Sequence, residues 1–265
     1  MILGLWDGHD SGIACVDRDG IRLALNEERL TRRKLEIHFP KEALRHVPAA
    51  DGPLDVAYCT TDPSKVLGRY APSTKERYYQ VRRRKVAPSP LNAFTKSYKY
   101  KLTTFRPGLI SRAMSARYMR KQLRASGLTT GRIHAYDHHH CHLCAAAFTA
   151  GPGDWTVISL DGVGDGRSGA VAELREGTLR RVESIHAEAS LGIFFEHVTN
   201  LMNMRELEDE GKVMALADFA SPIPDEKNPL FDFIRVEGLT LRTTGPTSAM
   251  YGKLQRIFQC YPSEQ

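Results

Sequence analysis

Thr156-Val157-Ile158-Ser159-Leu160, followed at once by Asp161-Gly162-Val163-Gly164-Asp165-Gly166, is the stretch on which the fold turns. An apolar, strand-like run gives way to a small, acidic, turn-prone segment. Residues 168–174 and 178–185 then alternate around Glu176-Gly177, a dipeptide suited to a tight hairpin turn. The opening of the chain follows the same plan. Residues 2–6 are apolar and end in Asp7-Gly8-His9-Asp10-Ser11, and residues 12–16 and 21–25 alternate around Asp17-Arg18-Asp19-Gly20. A repeated strand, polar loop, strand, turn, strand unit predicts an α/β protein of two related lobes.

Between the repeats, Pro40 opens a predicted helix to about Val47, residues 56–60 read as a strand, and residues 110–124 as a helix that Gly127 ends. Residues 132–136 form a short strand leading into Asp137-His138-His139-His140-Cys141-His142-Leu143-Cys144. After the second repeat, residues 190–202 have helical apolar spacing with Ser190 as N-cap, and 211–217 form a shorter helix. Beyond Asp218 only residues 238–242 read as a strand. The second lobe is therefore expected to be incomplete, with a first lobe over residues 1–150 and the start of a second over 154–265.

With 265 residues and an ordinary apolar fraction, the chain can bury a large core. No apolar run approaches the roughly 18 residues of a membrane span, and the N-terminus lacks the basic region of a signal peptide. Five scattered cysteines argue against a disulfide framework. A cytoplasmic location without membrane association is expected. The net charge of +6 is local: from Lys65 to Arg124 the single acid is Glu76. This basic, tyrosine-bearing insertion, about residues 64–125, fits a solvated surface, a dock for an acidic partner, or a nucleic-acid interface. It carries no recognised nucleic-acid motif.

The histidine segment holds four of the ten histidines within eight residues. On a helix, His138 and His142 share a face and can grip one metal ion, and imidazole suits iron and zinc alike. The plainer reading is an exposed polar helix start with the cysteines packed as small apolar residues. A complete metal site needs a further protein ligand. The loops 7–12 and 161–166 read either as plain turns or as glycine-rich phosphate cradles whose carboxylates hold a divalent cation. Two such loops occur in the superfamily of actin, sugar kinases and heat-shock ATPases, with its RNase H-like lobes.

These pieces resemble the antibiotic and nodulation O-carbamoyltransferases, whose first part is similar to the threonylcarbamoyl-transfer ATPase of tRNA modification. Six motifs carry the resemblance, in order, over about residues 1–217. They are His9-Asp10-Ser11-Gly12-Ile13-Ala14; Glu27 to Lys34; Asp137 to His142; Leu160-Asp161-Gly162-Val163-Gly164-Asp165; Ser190 to Thr199; and Asp209 to Ala217. Leu35 departs from the family's usual histidine, and His140 and Cys141 replace small apolar residues.

The resemblance implies that His138 and His142 are metal ligands, for Fe2+ or alternatively Zn2+. It implies that Asp161, Gly162, Val163, Gly164 and Asp165 hold a carbamoyl-adenylate made from ATP and carbamoyl phosphate. Lys34 would meet the carbamoyl or phosphate group, and His9 with Asp10 the hydroxyl of a small-molecule or glycoside acceptor. Full-length relatives continue with an adenosine-binding motif, a third metal ligand (an aspartate) and a YrdC-like domain. The chain is therefore expected to be an N-terminal part, inactive without its C-terminal part or partner. The alternative is a nucleic-acid-associated module built on a degenerate ATPase-like lobe.

Overall fold

The computed structural model describes residues 1–62, 64–87 and 108–260, which fall into two units. The first takes in Met1–Arg77 and, later in the chain, the residues up to Cys141; the second takes up the chain at Tyr78 and again from His142 onward.

In the first unit, β1 (Ile2–Trp6), β2 (Gly12–Asp17), β3 (Gly20–Asn26), β4 (Leu54–Tyr58) and β5 (Thr130–Ala135) form one mixed sheet in the order β3-β2-β1-β4-β5. β1 pairs antiparallel with β2 and parallel with β4, so it is a central strand. Its period-two pattern turns Leu3 and Leu5 into the core, where they meet Ile13, Cys15, Leu54, Val56 and Tyr58. Helices α1 (Glu28–Thr31) and α2 (Lys41–Leu44) follow β3, and α3 (Ser64–Tyr70) and α4 (Pro72–Arg82) follow β4. Helix α5 (Leu109–Ala125) inserts Met119 and Leu123 into the same core. Losing either apolar side chain would cost about 2–5 kcal/mol through transfer and cavity terms.

Two residues separate β5 from helix α6 (His138–Thr149), and the division between the units falls within this helix, after Cys141. Its later turns place Leu143 and Ala147 on Val157, Ala170, Ala172 and Leu174 of the second sheet. That sheet is an antiparallel meander of β6 (Trp155–Gly164), β7 (Arg167–Arg175) and β8 (Thr178–His186). Both of its turns hold two successive residues at positive φ: Asp165 at 51° with Gly166 at 77°, and Glu176 at 48° with Gly177 at 73°. These are primed hairpin turns, whose twist matches that of the strands they join. Helices α7 (Leu191–Leu201) and α8 (Glu210–Ala217) follow. A hairpin of β9 (Ile234–Glu237) and β10 (Thr240–Thr243) and helix α9 (Tyr251–Cys260) build a satellite core around Phe233, Ile234, Met250 and Leu254. Among the described residues no helix is long and apolar enough to cross a membrane.

The α/β class is as expected, while several local readings change. Asp161, Gly162, Val163 and Gly164 are not a loop after the strand; they continue β6 through a register shift between Leu160 and Gly164. The turn is Asp165-Gly166 alone. The helix from Pro40 stops at Leu44, with Pro40 outside it as N-cap. Gly238, read as part of a strand, is the turn of the β9-β10 hairpin with φ 60°. Helix α9 was not anticipated, because its buried Leu254 and partly buried Ile257 are set among Lys253, Gln255 and Arg256. The prolines 88, 90 and 107 and the central tyrosines and lysines of the basic segment lie outside the described residues.

Candidate functional site

The histidine helix is started by its own sequence. The Asp137 carboxylate accepts from the backbone N–H of His140 at 2.9 Å, satisfying a donor that the first turn leaves open. From that start, His139 points inward and is fully buried, while His138 and His142 follow one turn apart on another face. His142 Nε2 stands 3.5 Å from Asp161 Oδ2 on β6. His138, His142 and Asp161 each offer one donor atom, all within 4.8 Å of one another. Two imidazoles and one carboxylate are the donor set of zinc hydrolase sites and of non-haem iron sites alike. The side chains present therefore fit a divalent cation. Cys141 and Cys144 lie outside this group, and burial pushes the Cys144 thiol up, which keeps it protonated at neutral pH.

Asp161 is held from the far side by the start of α7. The Ser190 hydroxyl donates to the Gly162 carbonyl at 2.6 Å, with the Asp161 carbonyl 3.2 Å away, and accepts from Ile193 N at 3.0 Å. A Cβ on Gly192 would sit 2.6 Å from Gly162 N and 2.7 Å from the Asp161 carbonyl, so only glycine permits this approach. Ser190 was legible as an N-cap, but the grip of Ser190 and Gly192 on Asp161 is a long-range contact with no local signal.

The His9 loop lies at the end of β1. His9 Nδ1 meets Asp10 Oδ2 at 3.0 Å, and both side chains are part exposed. Trp6 Nε1 donates to the His9 carbonyl at 2.6 Å, and the Trp6 ring also packs on His138 with centroids 5.2 Å apart. The His9 loop and His138 thus share one indole. Asp7 is not available to a cation: its carboxylate accepts from Arg69 Nε at 2.8 Å and from the Tyr58 hydroxyl at 2.7 Å, deep in the unit.

Lys34 is exposed, and among the described residues it has no hydrogen bond or ion pair. Its loop, however, is built firmly. The Glu27 carboxylate accepts from the N–H groups of Glu42 and Ala43 at 2.9 and 2.8 Å, and Glu28 accepts from Leu35 N at 2.9 Å. Arg32 and Leu35 take positive φ on either side of Lys34. The two glutamates of this motif therefore shape the turn that presents the lysine.

Arginines of the basic segment are engaged within the second unit. Arg82 pairs with Glu196 and, at 3.0 Å, with Glu206. Arg83 stands 3.7 Å from Glu208, and Arg84 donates to Asn203 Oδ1 at 2.5 Å.

Curated relatives share this architecture's sequence over a limited span. An uncharacterized protein of Methanocaldococcus jannaschii is 26% identical over 219 residues, 83% of this chain and 33% of the relative. An uncharacterized protein of Synechocystis is 28% identical over 229 residues, 81% of this chain and 34% of the relative. The chain thus spans about a third of the length of these two relatives. Residues 1–234 match the family described as carbamoyltransferase N-terminus, and the chain belongs to that family.

Proposed function

We propose that this chain is the N-terminal part of an O-carbamoyltransferase that moves a carbamoyl group from carbamoyl-adenylate, made from ATP and carbamoyl phosphate, to a hydroxyl of a small molecule or glycoside. The observation that carries the reading is the convergence of His138, His142 and Asp161 in a chain of the carbamoyltransferase N-terminus family. A divalent cation at these three side chains, Fe2+ or Zn2+, would supply Lewis-acid polarisation of the carbamoyl carbonyl.

The chain's own residues carry the remaining work. Asp10 on Nδ1 orients the His9 ring, so that Nε2 takes the proton of the acceptor hydroxyl. The acceptor oxygen bonds to the carbamoyl carbon, the bond from that carbon to the adenylate phosphate oxygen breaks, and AMP leaves with the electron pair. Lys34 meets the phosphate charge, and Val163 and Gly164 bring backbone N–H groups to it, while Gly162 gives its own N–H to Asp161 Oδ1 at 2.6 Å and the Asp165 carboxylate would face a cation bound to the phosphate. In this reading β1-β2-β3 and β6-β7-β8 are the repeated units of two actin-like, RNase H-like lobes over residues 1–150 and 154–265. The YrdC-like part belongs to the same or a partner chain.

The test supplies radiolabelled carbamoyl phosphate, ATP and a panel of hydroxyl acceptors to this chain together with its C-terminal part. Label should pass to an acceptor with release of AMP, and His9→Ala should lose that transfer. Metal analysis of this chain should show a bound divalent cation that is lost in His138→Ala and in His142→Ala. Metal content unchanged in both histidine variants, or transfer unchanged in His9→Ala, would overturn the reading.

A further inference from the structure

We propose that Trp6 is a positioning residue for His138, holding the imidazole in its metal-binding orientation and tying it to the acceptor loop. The proposal rests on the metal reading given above and extends it to a residue outside the donor set. Trp6 ends β1, where it pairs with Gly12, and its ring leaves the sheet next to the His9 loop. Three contacts fix that ring. Its N–H is bound to the His9 carbonyl, its face packs on His138 at an interplanar angle of 37°, and Lys65 Nζ lies 4.8 Å from the ring centroid. Gly8 completes the seat, since a Cβ there would come within 2.0 Å of Trp6 Cζ2. The indole has only two torsions, and these contacts leave it one place to stand.

His138 also meets the fully buried ring of His139, edge on, with centroids 5.4 Å apart. His138 thus contacts both an anchored indole and a buried imidazole. The final torsion of histidine is broad and roughly two-fold, so without such walls the ring would sample orientations that turn its donor nitrogen away from the cation. Groups that orient a metal-binding histidine are worth about 10–100-fold in metal affinity when removed. Packing against Trp6 restricts the same ring rotation that such groups restrict. Because the same indole binds the His9 carbonyl, a shift of the acceptor loop would also reach the ligand.

The experiment uses Co2+ as probe. Trp155→Phe leaves Trp6 as the single tryptophan of the chain, which has two. Co2+ should quench Trp6 fluorescence and give a visible absorption band, and both signals should be lost in His142→Ala. Trp6→Leu and Gly8→Ala should weaken Co2+ binding about 10–100-fold, with Trp6→Phe intermediate because it keeps a ring but not the N–H. Trp6→Leu should add nothing to the loss already seen in His138→Ala, since Trp6 acts through that ring. Far-UV circular dichroism checks that each variant is folded, and Trp6→Phe serves if Trp6→Leu is not. Co2+ binding that is lost in His142→Ala but unchanged in folded Trp6→Leu or Trp6→Phe overturns this proposal alone. Absence of Co2+ binding in the starting protein, or binding indifferent to His142→Ala, overturns the metal reading and this proposal with it.

Discussion

Ser190 donates its hydroxyl proton to the carbonyl of Gly162 at 2.6 Å while the same oxygen accepts from Ile193 N at 3.0 Å. One side chain, fully buried, both starts α7 and clamps the strand beside Asp161. The candidate ligand is therefore placed by a helix start nearly thirty residues away in sequence. The same logic governs how the remainder of the chain responds to substitution.

Ser190→Ala removes the cap and the clamp together. Loss of the cap costs about 1 kcal/mol and loss of the hydrogen bond to Gly162 about 1 kcal/mol more. Urea denaturation should show a destabilisation of about 2 kcal/mol, and Co2+ affinity should fall as Asp161 loosens. A stability loss with unchanged Co2+ affinity would show that Ser190 supports α7 without placing Asp161.

Gly192→Ala sets two effects against each other. Helix propensity favours alanine by about 1 kcal/mol. A Cβ at 2.6 Å from Gly162 N meets backbone that cannot swing away, and such overpacking costs about 1–3 kcal/mol. The clash should win, so thermal denaturation should give a lower midpoint and Co2+ titration a weaker site. A raised midpoint would mean that α7 shifts freely and that the close approach is not required.

Arg82 lies between Glu196 and Glu206, with its side chain 10% exposed and theirs 11% and 7%. Arg82→Ala leaves two carboxylates buried without their cation, and breaking a buried pair in this way costs about 3–5 kcal/mol. Replacing all three together, as Arg82→Met with Glu196→Gln and Glu206→Gln, should recover much of the loss, as measured by urea denaturation. If the triple variant is no more stable than Arg82→Ala, the penalty comes from packing of the arginine stem and not from unpaired charge.

The hydrogen bonds from the Arg205 and Lys212 side chains hold the Asp209 carboxyl well below the usual carboxylate range, with Arg205 Nε at 3.0 Å and Lys212 Nζ at 2.8 Å. Because the folded-state value is depressed, the stability this group contributes is full above the unfolded carboxylate range, near pH 4, and is lost as pH falls below it. Denaturation profiles taken from neutral pH down to acid should therefore flatten below about pH 4 in Asp209→Asn relative to the parent. Superimposable acid limbs would show that the pair does not distinguish folded from unfolded chain.

Much of the candidate site was legible because its signals are local. Spacing by four residues puts His138 and His142 on one face of any helix they share, and the structure makes the segment helical from His138 on. Ser190 reads as an N-cap for the same reason, and Glu176-Gly177 as a hairpin turn. Asp161 was read as part of a phosphate loop, because a carboxylate among glycines looks like a turn until a partner strand is present. Pairing with β7 draws Asp161 to Gly164 into β6, and the register shift then brings the carboxylate to His142.

By itself, the sequence determined the α/β class, the repeated three-strand plan of residues 2–25 and 156–185, the shared face of His138 and His142 on a helix and the motifs that join the chain to the carbamoyltransferase N-terminus family. Each depends on periodicity, capping or turn chemistry within a few residues, where backbone sterics and hydrogen bonding act without distant help. Only the tertiary structure decided that Asp161 completes the group begun by His138 and His142, that Trp6, seated against Gly8, packs on His138, that Asp7 is spent on Arg69, and that Arg82 to Arg84 meet partners within the chain. Those outcomes come from side chains far apart in sequence competing for the same buried space and charge, and no local pattern records which of them will meet.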